Sequence, residues 1–323
     1  KAVNEIASPA WRVTCSPHGN HQDTAAYQIA GLLWFDQHLK NTFTFPQTPK
    51  TELSLTTETK VPLVRVTPDA SKAILSVDVY YTQHGQPEGE KEDSNNTKNR
   101  FWRYADARQE GDAWVASLPL TNATKPLWVY ANVLYALETP QSGAGYYYGL
   151  YTAEEVNLSS MVHLITAEEL KAAGVIATIM PTLVIESFEG DWEKEWFTYK
   201  PEDWARRTHK VYDEQWHAPA NSKLAFDVRV AQANRLVVGV DQHAAEVPIT
   251  GKSQWQPVVL TKADLMDAAG IALQQWAGIK ELRLGFKETL RLRANGQEQK
   301  RSIGTDWIGE KPEFRNLRWI DAE

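Results

Sequence analysis

The feature that most constrains this chain is the alternation of apolar and polar side chains over short stretches. In ILSVDVYY, for example, Leu75, Val77, Val79 and Tyr81 alternate with Ser76, Asp78 and Tyr80. An apolar residue at every second position predicts a β-strand with one buried face and one wet face. Similar runs, separated by turn-forming residues, fill residues 45–150: ELSLTT, VPLVRV, AILSVDVYYT, RFWRYA, AWVASLP, LWVYANVLYAL and YYYGLYT. This segment is predicted to be an immunoglobulin-like or fibronectin-like β-sandwich.

A second group of strands is predicted nearer the C-terminus. Residues 151–181 are expected to form a linker, in which TAEELKAAG has the capping-box spacing of Thr166 and Glu169 that starts a short helix. Residues 182–323 contain LVIESFEG, KLAFDVRV, RLVVGVD, WQPVVL, IKELRLGF and FRNLRWI, with a second capped helix expected at 261–269. Strands with only short helices between them predict a second β-sandwich, a jelly roll. The chain is therefore expected to be mainly β.

Charge and cysteine content exclude several classes of protein. The net charge is -7, and no block of lysine and arginine forms the basic surface that nucleic acid requires. The single cysteine, Cys15, excludes an internal disulfide and a CxxC metal site. There is no run of about 18 apolar residues, so no membrane span is expected. The opening KAVNEIASPAW lacks the apolar centre of a signal peptide, so either the protein is cytoplasmic or its N-terminus is missing.

The N-terminal stretch cannot enclose a core by itself. WRVTCS, residues 11–16, is predicted to be a strand, and residues 24–40 an apolar helix. One strand and one helix must dock on the next domain or belong to a larger sheet. Residues 1–44 are therefore predicted to be the end of another domain. The loop between them, PHGNHQD, carries His18 and His21.

These three elements resemble the end of an α/β-hydrolase domain of the dienelactone hydrolase and acetyl-xylan esterase type. In that family the triad histidine lies on the loop after the last strand, and the final helix, commonly closing with Trp-Phe-Asp and Leu-Lys, follows at once. The corresponding stretches here are WRVTCS, PHGNHQD and LLWFDQHLK. The resemblance implies that His21 is the catalytic general base and His18 a loop neighbour. The residues alone leave two alternatives open, a surface loop without a role and one half of a metal site.

The rest of a hydrolase site is absent from the sequence. The family needs a nucleophile elbow, G-x-S-x-G, and an acidic partner, both before the histidine. No such pentapeptide occurs, and Ser142 and Ser302 both follow His21 in β-rich surroundings. The chain alone is therefore expected to be inactive, with its partner an upstream catalytic domain or N-terminal chain of the same protein. We expect a bacterial carbohydrate esterase without a required cofactor, secreted or periplasmic as part of a longer precursor, with a cytoplasmic location left open.

Aromatic residues are frequent in both predicted sandwiches. In the first, Phe101, Trp102, Trp128 and Tyr130 are expected to fill a core or a seam between domains. The last segment resembles the galactose-binding-like jelly rolls that serve as accessory modules on carbohydrate-active enzymes, which implies sugar stacking on exposed rings. The candidate stacking rings are Trp192, Trp196, Tyr199, Trp204 and Trp216. The alternative is that these rings pack beneath their own loop.

Three carboxylates in the same region are candidate calcium ligands. Glu186, Glu189 and Asp191 would supply oxygen ligands to a structural Ca²⁺, or else form a solvated surface cluster. Beside the hydrolase interpretation, two others stay open: a non-catalytic carbohydrate-binding or adhesion protein, and a structural protein without a ligand. An elbow pentapeptide encoded upstream of Lys1 would favour the hydrolase, and a signal peptide directly before Lys1 would favour the binding protein.

Overall fold

The computed structural model describes residues 10–18, 25–85, 99–145, 149–198, 203–294 and 296–321. Within them the protein is mainly β, and every strand pair is antiparallel. The chain forms two compact units. Unit 1 comprises residues 1–98 and 102–179, and unit 2 comprises residues 99–101 and 180–323. In the described part of the chain, no helix has the length and apolarity needed to cross a membrane.

Unit 1 is built from two sheets with a helix at each end of its sequence. In chain order its elements are α1 (Ala25–Phe35), β1 (Lys50–Ser54), β2 (Leu63–Thr67), β3 (Ile74–Thr82), β4 (Arg103–Ala105), β5 (Arg108–Glu110), β6 (Ala113–Ser117), β7 (Leu127–Gly145), β8 (Gly149–Ser159), β9 (His163–Ile165) and α2 (Ala167–Ala172). One sheet has the order β1-β2-β6-β5, and the other β4-β3-β7-β8, with β9 beside β7. A five-residue π-helical turn, Asp36–Lys40, extends α1.

The core of unit 1 lies between its two sheets. Val64 and Val66 of β2 face Val77 and Val79 of β3 in one buried cluster, which also contains Val133 of β7. The alternation that predicts β3 therefore places these valines inward. This arrangement fits the β-sandwich expected from the sequence.

The predicted linker at 151–181 is not a separate segment. β8 and β9 pair with β7, so residues 151–159 and 163–165 belong to the second sheet of unit 1. The capping box at Thr166 is confirmed, because its side chain accepts from the Glu169 amide while the Glu169 carboxylate accepts from the Thr166 amide. The boundary between the two units falls at residues 179–180.

Unit 2 also contains two packed sheets. Its strands are β10 (Val184–Glu186), β11 (Arg206–Thr208), β12 (Ser222–Arg229), β13 (Asn234–Val240), β14 (His243–Ile249), β15 (Gln256–Leu260), β16 (Leu282–Gly285), β17 (Lys287–Ala294), β18 (Gln297–Gly304) and β19 (Glu313–Asp321). The sheet orders are β10-β19-β12-β15 and β11-β16-β13-β14, and β17 and β18 form a separate hairpin. The cluster between the sheets includes Leu224, Phe226, Val238, Leu284 and Trp319.

The prediction of a second helix at 261–269 is wrong. Only a 3-10 turn, Lys262–Asp264, forms, although Thr261 and Asp264 make the expected capping box. The chain then leaves the helical path because Met266 exchanges two backbone hydrogen bonds with Ala244, of 2.9 and 3.0 Å. Pairing with a distant strand thus overrides the local helix signal.

The aromatic residues of the central segment are divided between the two units. Phe101 is fully buried in unit 2, where its ring meets Trp216 edge to face at 5.2 Å. Trp102 and Tyr130 belong to unit 1 and contact each other edge to face at 4.9 Å. Trp128 is half-buried on β7.

Candidate functional site

The N-terminal segment is held against the end of β8 by specific hydrogen bonds. The Ser159 amide donates to the Val13 carbonyl at 2.8 Å, and the Cys15 amide donates to the Ser159 hydroxyl at 2.7 Å. The Thr14 hydroxyl donates to the Asn157 carbonyl at 3.0 Å. Residues 11–16, predicted to be a strand, are therefore irregular, because side-chain bonds replace a regular ladder.

Polar side chains beneath this segment complete its attachment. The side-chain Nδ2 groups of Asn132 and Asn157 both donate to the Cys15 carbonyl, at 3.2 and 3.3 Å. The Ser159 hydroxyl donates to the Asn132 side-chain oxygen at 2.6 Å. Each of these three side chains is buried, so the segment is held by buried polar groups rather than by exposed contacts.

His18 lies over a row of aromatic rings on the outer face of the second sheet. The His18 side chain is buried and meets Tyr80 edge to face, with centroids 6.4 Å apart. Tyr80 in turn stacks on Tyr130 at 5.8 Å. The neighbouring positions Val79 and Ala131 point into the core, which places both tyrosines on the opposite face. His18 is therefore not a surface residue, whereas His21 lies outside the described residues.

The groups around His18 are held in their neutral forms. Burial raises the pKa of the Cys15 thiol, and the hydrogen bond to Ser159 opposes this only in part. Burial also raises the pKa of Tyr130 well above its usual value, with further contributions from Cys15 and Tyr80. A protonated thiol and phenol are poor nucleophiles and bases at neutral pH. At neutral pH the Cys15 thiol and the Tyr130 phenol are therefore protonated.

Helix α1 has two apolar faces, of which only one is covered. Ile29 and Leu33 are each 1% exposed and belong to the core of unit 1. On the other side Tyr27, Leu32 and Phe35 are 63%, 40% and 57% exposed. These three residues will be called the outer stripe. Apolar residues on an open helix face are typical of an interaction surface.

A groove runs along the outer stripe. Its volume is about 420 Å³, and its walls include Tyr27, Leu32 and Phe35 from α1, Arg12 from the N-terminal segment and Leu158 from β8. Gly31 lies within the groove, and a Cβ at this position would meet no heavy atom within 4 Å. The groove is therefore open and mainly apolar on its helical side.

The four predicted sugar-stacking rings that the structure describes do not form an exposed platform. Trp196 and Trp216 are only 4% and 6% exposed and belong to the core of unit 2. Trp192 and Trp204 are half-buried and pack against that core. The role of Trp196 and Trp216 is therefore corrected from sugar stacking to core packing, since a covered ring offers no face to a sugar. Tyr199 lies outside the described residues.

The three candidate calcium ligands are not brought together as a site. The Glu186 carboxylate is buried, and its Oε2 accepts from the Lys210 ammonium at 2.7 Å and from the Trp196 indole at 3.0 Å. Glu189 and Asp191 are exposed. Among the residues that the structure describes, no group of three or more His, Cys, Asp or Glu side chains is placed to hold a metal ion.

Lys210 is the centre of a buried charge cluster that the sequence analysis missed. Its Nζ lies 2.6 Å from Glu195 Oε2 as well as 2.7 Å from Glu186 Oε2. Burial alone would lower the pKa of Lys210, but Glu195 and Glu186 outweigh it and raise the pKa. Each charge thus has a partner, which is the condition for tolerating charges inside a core.

A second unpredicted feature is the cationic hairpin of β17 and β18. The sequence signal for this hairpin was present, because Asn-Gly at 295–296 stands between two stretches of alternating residues.

Comparison of the chain with protein-family models, with curated proteins and with solved structures gives no match. The candidate functional features of the described residues are the α1 groove, the anchored His18 segment and the hairpin.

Proposed function

We propose that this chain is the C-terminal accessory portion of an α/β-hydrolase, a carbohydrate esterase in which His21 is the triad general base. The two β-rich units position the catalytic domain in this proposal. The observation that carries it is α1, a helix with one face in the core of unit 1 and a second apolar face open to solvent.

The outer stripe is evidence for the proposal that another domain docks on α1. A helix at the surface of a single domain normally exposes charged and polar residues opposite its buried face. α1 instead exposes Tyr27, Leu32 and Phe35 beside the groove. Covering such a stripe removes apolar area from water, which favours association. In the proposed enzyme the catalytic domain lies on this stripe.

The anchoring on both sides of the loop supports the role of His21. Before the loop, residues 13–15 are bonded to β8, and His18 is buried against Tyr80. After the loop, α1 is fixed in unit 1 through Ile29 and Leu33. A general base requires a ring held by fixed surroundings yet able to reach the nucleophile. His21 lies in sequence between these two anchors.

The proposed reaction follows the serine-hydrolase scheme. A serine from the upstream domain attacks the acyl carbonyl, and His21 accepts the serine proton. His21 donates this proton to the departing sugar hydroxyl, which leaves an acyl-serine. It then takes a proton from the water that attacks the acyl group and returns it to the serine as the acid leaves, while an upstream carboxylate orients the imidazole. The scheme requires no cofactor. The complete protein would act as a secreted or periplasmic enzyme on acylated polysaccharide.

The test uses the complete natural gene product, including any polypeptide encoded before Lys1. We expect it to release acetate from p-nitrophenyl acetate and from acetylated xylan. His21→Ala should reduce kcat/KM at least about 10³-fold, because a triad member is lost. The matched control, His217→Ala, changes an exposed histidine of unit 2 and should leave the rate unchanged.

Two results would overturn the hydrolase proposal. The first is an upstream polypeptide without a nucleophile elbow, which would leave a non-catalytic carbohydrate-binding or adhesion protein. The second is full esterase activity in the His21→Ala variant.

A further inference from the structure

The β17–β18 hairpin has one face on unit 2 and one face directed away from it. Directly opposed residues of an antiparallel pair share a face, as Leu290 and Arg301 do, and the next pair along lies on the other face. Leu290 is buried against Val237 and Ala244, which fixes its face as the inner one. Arg291, opposite Lys300, therefore lies on the outer face.

Three cations on the outer face share one carboxylate. Lys300 Nζ lies 3.0 Å from Glu298 Oε2, while Arg291 Nη1 and Arg293 Nε each lie 3.5 Å from Glu298 Oε1. The three cationic side chains are each more than half exposed. Three positive charges around one negative charge leave two positive charges without compensation within this cluster.

Glu298 compensates the repulsion within this arrangement only in part. Arg291 and Lys300 are direct cross-strand partners, and like charges in that position repel each other. The chain as a whole carries a net charge of -7, so this local excess of positive charge is opposite in sign to the net charge of the chain. An additional anion between Arg291 and Lys300 would relieve the repulsion. The hairpin thus has the electrostatics of a surface that receives a negatively charged ligand.

The neighbouring groups indicate which anion fits. Glu298 shows that the three cations converge on a position of carboxylate size. The next pair on the same face, Thr289 and Ser302, places two hydroxyl oxygens 3.3 Å apart, and both can donate to or accept from sugar hydroxyls. None of the described side chains on this face is aromatic, whereas single-stranded nucleic acid is bound largely by base stacking.

We propose that the outer face of the β17–β18 hairpin binds a carboxylate-bearing, uronate-type polysaccharide. Arg291, Arg293 and Lys300 hold a sugar carboxylate, and Thr289 and Ser302 bond to the hydroxyls of a neighbouring sugar. The choice of a polysaccharide, rather than another acidic polymer, rests on the proposed function. The inference adds the substrate class and the residues that select it.

Calorimetric titration of this chain with polygalacturonate tests the inference. We expect binding that weakens as NaCl is raised, since exposed charges are screened by salt. Unsubstituted xylan, a neutral polymer, should give no heat. Double-stranded DNA should bind much more weakly than polygalacturonate. The double variant R291Q/K300Q should lose about tenfold or more in affinity, because two charge-assisted contacts are removed.

Two further variants separate a binding role from a structural one. K252Q/K311Q removes two exposed lysines elsewhere on unit 2 and should bind almost as the parent does. Glu298→Gln should bind polygalacturonate about two- to fivefold more tightly, because it removes the internal competitor for the cations. A carboxylate with a purely structural role would give unchanged or weaker binding instead.

The inference is overturned by any of three results: no binding of polygalacturonate, equal binding of xylan or DNA, or an unchanged affinity in R291Q/K300Q. Melting curves establish that each variant is folded. These titrations involve no ester cleavage, so their failure leaves the esterase assay with His21→Ala as an independent test. Conversely, a complete protein without esterase activity that still binds polygalacturonate would leave the hairpin assignment in place.

Discussion

Units 1 and 2 share an architecture of two packed antiparallel sheets but distribute their apolar and charged residues differently. Unit 1 leaves the apolar outer stripe of α1 open to solvent. Unit 2 buries Lys210 with two carboxylates and exposes a cationic hairpin. The same type of core thus supports an exposed apolar surface in one unit and an exposed cationic surface in the other.

The largest effect is expected for the buried charge of unit 2. Lys210→Met should destabilise unit 2 by about 3–5 kcal/mol, because Glu186 and Glu195 lose the cation that neutralises them. Denaturant unfolding measures the loss, and hydrogen exchange assigns it to unit 2. The control, Lys287→Met, breaks an exposed pair with Asp306 and should cost about 1 kcal/mol or less. Equal losses in the two variants would contradict the distinction between buried and exposed charge.

The next effect sharpens the contrast between the two faces of α1. Leu33→Ala should destabilise unit 1 by about 2–5 kcal/mol, since a buried leucine leaves a cavity. Leu32→Ala, one residue earlier on the outer stripe, should change the free energy of unfolding by less than about 1 kcal/mol. Thermal unfolding followed by circular dichroism compares the two variants. A similar loss for both would show that the outer stripe is part of the core.

A smaller effect is expected from two glycine substitutions, one in each unit. A Cβ on Gly239 would lie 2.7 Å from Arg283 Nε, and Arg283 is held at 2.8 Å by both Glu281 and Glu288. Gly239→Ala should therefore destabilise unit 2 by about 1–3 kcal/mol. Gly31→Ala should leave unit 1 unchanged or stabilise it by about 0.5–1 kcal/mol, because the space is open and alanine favours a helix. A lower denaturant midpoint for both variants would contradict the distinction between the two glycine sites.

The last comparison uses two titrating groups, which should separate the stabilities of the two units at the extremes of pH. Burial raises the pKa of Tyr135 in unit 1 to about 12. The folded state thus favours the neutral phenol, so this stabilisation is present below about pH 10 and is lost as the pH rises towards 12. Tyr135→Phe should flatten the alkaline loss of stability in unit 1.

In unit 2 the corresponding group is Glu281. Burial would raise the pKa of Glu281, but Arg283 and Arg207 outweigh it and lower the pKa. The stabilisation is therefore present above about pH 4.3 and is lost as the pH falls through the lowered pKa. Glu281→Gln should flatten this acid loss. Hydrogen exchange as a function of pH measures both units, and an alkaline loss confined to unit 2 would contradict the assignment.

The sequence predicts those parts of the fold that depend on local signals. The alternation in β3 is enough to predict a strand with its valines inward, because period two is a property of the strand itself. The capping box of α2 is likewise complete within four residues, from Thr166 to Glu169. These predictions require no knowledge of distant contacts.

Features that depend on distant partners could not be predicted. Met266 leaves a helical path because of Ala244, and Cys15 is fixed by Ser159, which is 144 positions away. The same limit applies to Trp196 and Trp216, since tryptophans in a polar stretch look alike whether they are covered or open. For the candidate site, the sequence predicts a histidine loop before a helix. Which face of α1 is exposed could not be predicted, because it depends on which face packs into the core of unit 1.

Hydroxyl-radical footprinting of the complete gene product, compared with this chain alone, tests the docking of a catalytic domain on α1 most directly. The method measures the solvent exposure of individual side chains. We predict that Tyr27 and Phe35 are oxidised several-fold more slowly in the complete protein, while the exposed residues Leu150 and Met180 react equally in both. Equal oxidation of Tyr27 and Phe35 in the two samples would contradict the proposal that the outer stripe is covered by an upstream domain.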